Sequence, residues 1–192
     1  MLGRRRLEEA HGGRARKGCC LLEGWIPSMG SRFPTPAFYN VPVTLRQATT
    51  EDTKALLALE RESPSAAHWS RAQYEAIFQA EAPPRLCLVA ENGPVQAFLV
   101  AQTAAAEWEL ENMVVAPAAR RQGLGTQLLR ELLRQARQQH ARAVFLEVRA
   151  SNSAARGLYR ACGFVEVGSR PGYYQNPQED AISCACELAD SP

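Results

Sequence analysis

Apolar residues recur with period two, or form short continuous apolar runs, along seven stretches of residues 42–189, and this pattern predicts β-strands. After the fourth stretch the period becomes helical, because Leu124, Leu128, Leu132 and Ala136 recur at four-residue steps. Shorter helices are expected after Thr49, from about residue 69, and at residues 152–162. The predicted strands lie at residues 43–48, 86–90, 95–103, 107–115, 143–148, 164–167 and 181–188.

Turn and capping signals separate these elements. Ser70 and Gln73 have the spacing of a capping box, and Asn92-Gly93 is a strong hairpin signal. The predicted order is β-α-α-β-β-β-α-β-α-β-β, with a polar, tyrosine-bearing loop between the last two strands. Mostly antiparallel strands are followed by one parallel β-α-β crossover. We therefore predict an α/β protein of the mixed α+β kind, with a mostly antiparallel sheet flanked by helices.

Residues 1–41 show no sustained period and are rich in Gly, Pro and Arg, which predicts a disordered extension before a domain at residues 42–189. The run Arg4-Arg5-Arg6 lacks the apolar segment that a secretory signal needs. A start at Met29 and an Arg-rich transit peptide are the alternatives for this region. The formal net charge is only +2, and the basic excess falls in residues 1–28, so we expect no nucleic-acid partner.

Six cysteines are present, but none forms a Cys-x-x-Cys pair or lies at ligand spacing from a histidine. Reduced, buried or half-buried thiols are favoured over a metal site, and we expect no metal. No apolar stretch approaches the roughly 18–20 residues of a membrane span, so no membrane contact is expected. These features favour a cytoplasmic monomer.

The most specific pattern is a glycine-containing turn, Arg120-Arg121-Gln122-Gly123-Leu124-Gly125, which follows a strand and opens a helix. Glycines let the backbone approach an oxygen-rich ligand closely. The helix start adds free N–H groups and the positive end of its dipole, which together suit a pyrophosphate. Arg120 and Arg121 can add charge-assisted contacts. An ordinary strand-to-helix loop is the alternative interpretation.

The turn is neither a Walker loop nor a dinucleotide Gly-x-Gly-x-x-Gly. Its Arg-x-x-Gly-x-Gly pattern after Val-Val-x-Pro resembles the coenzyme A site of the GNAT acetyltransferase superfamily. Three further features narrow the resemblance to the RimI family, the N-terminal acetyltransferases of ribosomal-protein alanine. These are Leu146-Glu147-Val148-Arg149-Ala150-Ser151-Asn152, Tyr173-Tyr174 before Glu179-Asp180-Ala181, and His68-Trp69-Ser70. The resemblance covers about residues 43–188.

The resemblance implies the GNAT, or acyl-CoA N-acyltransferase, fold and acetyl-CoA as co-substrate. The strand residues Met113, Val114 and Val115 would offer backbone groups to the pantetheine arm. Asn152 would contact coenzyme A near the start of a short helix. The residues expected at the pyrophosphate are Arg120, Arg121, Gln122, Gly123, Leu124, Gly125 and Thr126.

Two residues take catalytic roles from the same resemblance: Glu147 as general base and Tyr159 as general acid. A peptide α-amine has a pKa of about 8 and must lose a proton before it attacks a thioester. The leaving thiolate, with a pKa of about 8.5, needs a proton that a tyrosine can supply. Taken alone, an isolated strand Glu is more often a surface residue, and a tyrosine on this helix face is more often packed in a core.

The acceptor implied by the resemblance is a protein N-terminus, the alanine of ribosomal protein eighteen of the small subunit. It would be acetylated by direct attack in a ternary complex. Tyr173 and Tyr174 are expected to cover that N-terminus, with exposed hairpin aromatics as the alternative. Trp69 is predicted either to line the same groove or to belong to the core. A lysine or a small-molecule amine is the alternative acceptor, and a non-catalytic coenzyme A-binding module is a third possibility.

Overall fold

The computed structural model describes residues 42–64, 66–79, 84–104 and 106–188. The predicted disordered extension at residues 1–41 lies outside the described residues. Seven strands form one sheet in the order β1-β2-β3-β4-β5-β7-β6. The strands are β1 (Thr44–Gln47), β2 (Arg85–Glu91), β3 (Val95–Ala104), β4 (Glu107–Val115), β5 (Ala143–Arg149), β6 (Val165–Gln175) and β7 (Gln178–Glu187).

Every neighbouring pair in this sheet is antiparallel except β4 and β5, which are parallel. The predicted mixed, mostly antiparallel sheet with one parallel crossover is therefore confirmed. Among the described residues, four helices flank the sheet: α1 (Thr53–Arg61), α2 (Arg71–Ala76), α3 (Leu124–Gln138) and α4 (Ser153–Ala161). Short 3₁₀ turns at Thr50–Asp52 and Pro117–Ala119 precede α1 and α3.

Side-chain hydrogen bonds cap the first turns of α2 and α4, at the positions where the sequence predicts these helices to begin. Ser70 accepts a hydrogen bond from the backbone N–H of Gln73, and the Gln73 side chain returns to the Ser70 backbone, which forms the predicted capping box at α2. At α4 the Asn152 side chain accepts from the N–H of Ala155 at 3.1 Å. Each cap satisfies a backbone donor that the first helical turn leaves without a partner.

Two apolar cores cover the two faces of the sheet. Helices α3 and α4 pack on one face, where Leu128, Leu129 and Leu132 are completely buried. Helices α1 and α2 pack on the other face through Leu56 and Tyr74. Burial of each large apolar side chain stabilises the fold by about 1.5–3 kcal/mol. The four-residue repeat of α3 thus fixes that helix on the sheet.

The sheet opens between its two central strands. Strand β4 pairs with β5 only from Glu107 to Leu110, opposite Ala143 to Leu146. A register shift between Val100 and Ala101 of β3 then places a bulge in β4. Beyond it, Met113, Val114 and Val115 keep their pairing to β3 but have no β5 partner. Backbone groups on that edge are available to a ligand that adds itself as a strand would.

The prediction of a polar loop between the last two strands is wrong. Tyr173 and Tyr174 lie on β6, which runs to Gln175 and pairs with β7. The polar residues of this hairpin hid its strands because β6 is an exposed edge strand, where apolar alternation is not required. The register shifts between Arg170 and Tyr174, and the Asp180 carboxylate accepts from the N–H of Gly172 at 2.8 Å. None of the described helices is long and apolar enough to cross a membrane.

Candidate active site

The glycine-containing turn joins β4 to α3 and leaves the start of that helix uncapped. Arg121 and Gly123 both have left-handed backbones, with φ of 64° and 84°. Gly123 is the N-cap of α3, and it makes no side-chain cap hydrogen bond. The first N–H groups of a 15-residue helix therefore face outward with the positive end of its dipole. This is a physical basis for binding an anion.

A cavity of about 540 Å³ lies between this turn, the end of β4 and the start of α4. We call it the donor cavity. It brings together ten of the eleven residues predicted to bind coenzyme A: Met113, Val114, Val115, Arg120, Arg121, Gly123, Leu124, Gly125, Thr126 and Asn152. Gln122 does not line it, because its side chain turns back to donate to the Ala118 carbonyl at 3.1 Å.

Gly125 allows α3 to approach α4 closely beneath this cavity. A Cβ atom at this position would lie 2.9 Å from Cδ2 of Leu158. It would also lie 3.8 Å from Cγ2 of Val115. A side chain at this position would require the end of the Leu158 side chain to shift, so the second glycine of the motif lets α3 and α4 approach each other closely.

Arg120 has a structural role that the sequence pattern did not indicate. Its Nε donates to the Val115 carbonyl at 3.2 Å, and its Nη2 contacts the Ser63 hydroxyl at 3.4 Å. The guanidinium thereby ties the turn to the end of β4 and to the segment that follows α1. Arg121 is exposed at the cavity wall and is the better placed of the two arginines for a phosphate.

A second cavity of about 410 Å³ adjoins the first, and we call it the acceptor cavity. It brings together the remaining predicted site residues: Trp69, Glu147, Tyr159, Tyr173 and Tyr174. The two cavities share Ala66, Met113, Asn152 and Ala155 as lining residues. They therefore meet where β4 and β5 separate, so one bound molecule can be brought against another there.

Glu147 lies on β5 and makes an ion pair. Arg170 Nη1 of β6 donates to Glu147 Oε1 at 2.6 Å. The Arg170 guanidinium also lies over the Tyr173 ring, 4.6 Å from its centroid. Hydrogen bonding to Glu147, followed by burial, raises the pKa of the Tyr173 hydroxyl. The sequence did not indicate Arg170, because it lies in the stretch predicted to be a loop.

Tyr159 lies on α4 and is 8% exposed, with its ring edge-on to Phe164 at 5.9 Å. Its ring packs in the core, as the core-packing interpretation predicts, and it also lines the acceptor cavity, while its role as general acid stays a prediction. Burial raises the pKa of Tyr159, and Tyr174 and Cys184 add to the effect. The hydroxyl is thus a weaker acid than an exposed tyrosine, and like any tyrosine it holds its proton at neutral pH.

The aromatic wall of the acceptor cavity is held by Arg149 and Glu179, which belong to the sequence motifs quoted above but had no predicted role. Tyr173 and Tyr174 contact each other edge to face at 5.1 Å. The Arg149 guanidinium lies 4.1 Å from the Tyr174 ring centroid and forms an ion pair with Glu179 at 3.3 Å. Glu179 also accepts from the backbone N–H of Ser151. These contacts join the β6–β7 hairpin to the end of β5.

Trp69 lies at the opposite wall. Its half-buried ring packs 5.6 Å from Tyr74, and the Arg85 guanidinium lies 5.8 Å from its centroid. It lines the acceptor cavity as well, so the groove and core alternatives both hold. Over the residues that the structure describes, no group of three or more His, Cys, Asp or Glu side chains is arranged to hold a metal ion.

Comparison with known proteins identifies the class. Residues 53–164 match the model of the Acetyltransferase (GNAT) family. The chain therefore belongs to the GNAT family and is an acetyltransferase, and the predicted fold is confirmed. Members of this family use acetyl-CoA, and the donor cavity contains the turn and the open strand edge that the resemblance predicted for it.

Within the family, the chain is similar to enzymes that modify a ribosomal protein. It is 34% identical over 148 residues to the [ribosomal protein bS18]-alanine N-acetyltransferase of Salmonella typhimurium, covering 76% of this chain and 98% of that one. The corresponding Escherichia coli K12 enzyme is 40% identical over 101 residues, or 52% of this chain and 68% of that one. The predicted similarity to the RimI family is confirmed.

Solved structures show the same similarity. The crystal structure of the Escherichia coli ribosomal-protein-S18-alanine N-acetyltransferase superposes with a TM-score of 0.70 at 31% identity, covering 79% of this chain and 97% of that one. The ribosomal-protein-alanine N-acetyltransferase of Brucella melitensis gives 0.67 at 25% identity, covering 76% and 99%. A spermidine N-acetyltransferase chimera at 18% identity shares the fold alone.

Proposed function

We propose that this enzyme transfers acetyl from acetyl-CoA to the N-terminal α-amine of a protein, in the cytoplasm and as a monomer. The specific acceptor proposed is the N-terminal alanine of ribosomal protein bS18, the substrate in the names of its relatives. Direct attack within a ternary complex is the proposed route. The observation that carries the proposal is the meeting of the donor and acceptor cavities beside Glu147 and Tyr159.

The donor cavity fits coenzyme A by its chemistry. Uncapped N–H groups at the start of α3 and the Arg121 side chain suit a pyrophosphate. The unpaired β4 edge from Met113 to Val115 suits the amides of pantetheine, and Asn152 closes the far side. When bound there, acetyl-CoA supplies the activated acetyl thioester.

Glu147 would prepare the acceptor. An α-ammonium must become neutral before it can attack, and a carboxylate at the cavity wall can take that proton directly or through a water. Arg170 occupies Glu147 Oε1 in the free enzyme. An incoming ammonium would compete for the same carboxylate, and the face of the Tyr173 ring next to it already holds one cation.

Tyr159 would complete the transfer. As the new C–N bond forms, the C–S bond breaks and the sulfur leaves with the electron pair. The Tyr159 hydroxyl, which is protonated at neutral pH, would donate the proton that the sulfur needs. The ammonium loses two protons in all. The first goes to Glu147 and on to solvent, and the second, lost as the amide forms, replaces the proton that Tyr159 gave to the sulfur, so one proton is released per turnover.

The shape of the acceptor side favours a peptide over a small amine. A further cavity of about 490 Å³ shares Glu109 and Glu147 with the acceptor cavity and extends past the exposed Phe145. That space would accommodate the residues that follow an N-terminal alanine. A small amine would need none of it.

The test is an acceptor panel with acetyl-CoA and the full chain. It contains an Ala-starting peptide of the bS18 N-terminus, a lysine peptide with a blocked N-terminus, and small polyamines. We expect kcat/KM for the first to exceed the others by at least about tenfold. Turnover of polyamines or the blocked lysine peptide, with none of the Ala peptide, would replace the proposal with the alternative acceptor class.

A further inference from the structure

A buried polar triad lies behind the acceptor cavity. It consists of Glu60 on α1, Tyr74 on α2 and Asn112 on β4, which are 2%, 0% and 6% exposed. The core around it is apolar. Burying three polar groups there costs free energy unless each is hydrogen-bonded, so their arrangement calls for a physical reason beyond packing.

The triad fixes the orientation of the Asn112 amide. Its Nδ2 donates to Glu60 Oε1 at 2.9 Å and to the Tyr74 hydroxyl at 3.1 Å. A carboxylate accepts but does not donate, so the nitrogen of the amide must face Glu60. Both amide hydrogens are used, and the oxygen Oδ1 points away from Glu60.

That oxygen has no hydrogen-bond donor among the described residues. Within the same residues, no completely buried side-chain nitrogen or oxygen lacks a hydrogen-bond partner, so they do not enclose Oδ1 completely. Asn112 lines the acceptor cavity, so a ligand in that cavity is the candidate donor to this oxygen.

The β4 bulge explains why Asn112 lies on this face. Trp108 and Leu110 pack in the core under α3 and α4, whereas Val114 packs under α1 and α2. The extra residue of the bulge, Glu111, reverses the side-chain alternation between them. Asn112 is thereby turned to the sheet face that carries Glu147.

We propose that Asn112 is a further substrate-binding residue, whose Oδ1 accepts a hydrogen bond from the attacking amine. This rests on the acetyl transfer proposed above. The α-ammonium of the acceptor carries three N–H hydrogens. Glu147 removes one, Asn112 binds a second, and the freed lone pair is directed to the thioester carbon. Glu60 and Tyr74 are positioning residues, since they act through Asn112.

The experiment is a thermodynamic cycle that combines removal of the acceptor's amino group with removal of the Asn112 side chain. The best primary-amine acceptor and its des-amino analogue, in which a hydrogen replaces the ammonium group, are bound to the full-length wild-type enzyme and to Asn112→Ala in the presence of coenzyme A. The des-amino analogue has no N–H to donate to Asn112, so its loss of affinity, measured by calorimetry, should be about three- to tenfold larger in wild type than in the variant. Equal losses in the two enzymes would overturn the proposal.

Two further variants keep the test independent of folding. Glu60→Gln retains the Asn112 amide but lets it rotate, because glutamine both donates and accepts, and it should reduce the loss of affinity that removal of the amino group causes. Thr53→Val is the matched control, since it removes a side-chain hydrogen bond of a buried α1 residue that does not line the cavity. It should leave that loss of affinity at its wild-type size. If peptides are inactive and a small amine is acetylated, the proposed acceptor fails, and the cycle run with that amine still decides the role of Asn112.

Discussion

Glu147, Glu109 and Glu111 all line the acceptor cavity, but they have different partners. Glu147 pairs with Arg170, and Glu111 pairs with Arg85 at 2.7 Å. No ion pair to Glu109 is found within the described residues. At this scale the Leu-Glu-Val-Arg context pointed to Glu147, whose catalytic role stays a prediction. The sequence did not indicate that Arg170 and Asn112 lie near Glu147, because their positions depend on a hairpin register and a bulge that no local pattern specifies.

The assigned catalytic roles predict a specific pair of variants. Glu147→Gln and Tyr159→Phe should each lower kcat by about 10²-fold or more, the usual contribution of a positioned acid or base. Acetyl-CoA affinity, measured by calorimetry, should change less than about twofold, because neither residue lines the donor cavity. Normal turnover in both variants would remove these roles.

The raised pKa of Glu109 should make the stability of the folded protein depend on pH. Burial, followed by the charges of Glu111 and Glu147, raises its pKa above the ordinary 4.5. The folded state therefore favours the protonated form, so stability is lost as pH rises through the folded pKa. Glu109→Gln mimics that form and should raise the melting temperature at pH 7. The gain should shrink as pH falls through the raised pKa of folded Glu109 and should be absent below about 4.5, where the unfolded chain is protonated as well. A gain that is constant with pH would contradict this account.

At the scale of elements, the donor cavity is lined by the unpaired edge of β4 and by the start of α3. The period of α3 and the strand before it were predictable from sequence, because both bury regular apolar patterns against the sheet. The separation of β4 from β5 was not, since it depends on where pairing stops between residues that lie 36 positions apart, Leu110 and Leu146. The β6–β7 hairpin was mispredicted in part for the same reason.

Gly125 and Gly157 offer a matched pair of glycine substitutions. Gly125→Ala places a Cβ 2.9 Å from Leu158, so it should weaken acetyl-CoA binding at least about tenfold and lower the melting temperature. Gly157→Ala on α4 meets nothing within 4 Å. It should stabilise the protein by about 0.5–1 kcal/mol with unchanged binding. Calorimetry and thermal melting of both variants measure this, and equal effects would contradict the packing argument.

At the scale of the whole molecule, two cavities meet where β4 and β5 of an open sheet separate. The GNAT family membership and the donor side follow from patterns of short range in the sequence. The acceptor side combines the loop between α1 and α2, strands β4 and β5, helix α4 and the β6–β7 hairpin, so its shape arises only when distant segments pack. That is why sequence could name Trp69, Tyr173 and Tyr174 as wall residues but could not choose between wall and core for Trp69.

The position of the transferred acetyl group tests the central claim most directly. The acceptor is a bS18-type peptide that begins with alanine and carries an internal lysine, so that both an α-amine and an ε-amine compete in one molecule. Fragment mass spectrometry after incubation with the full chain and acetyl-CoA locates the added acetyl. We predict acetylation on the α-nitrogen of the alanine, with the lysine unmodified. Acetyl on the lysine with a free N-terminus would contradict the account.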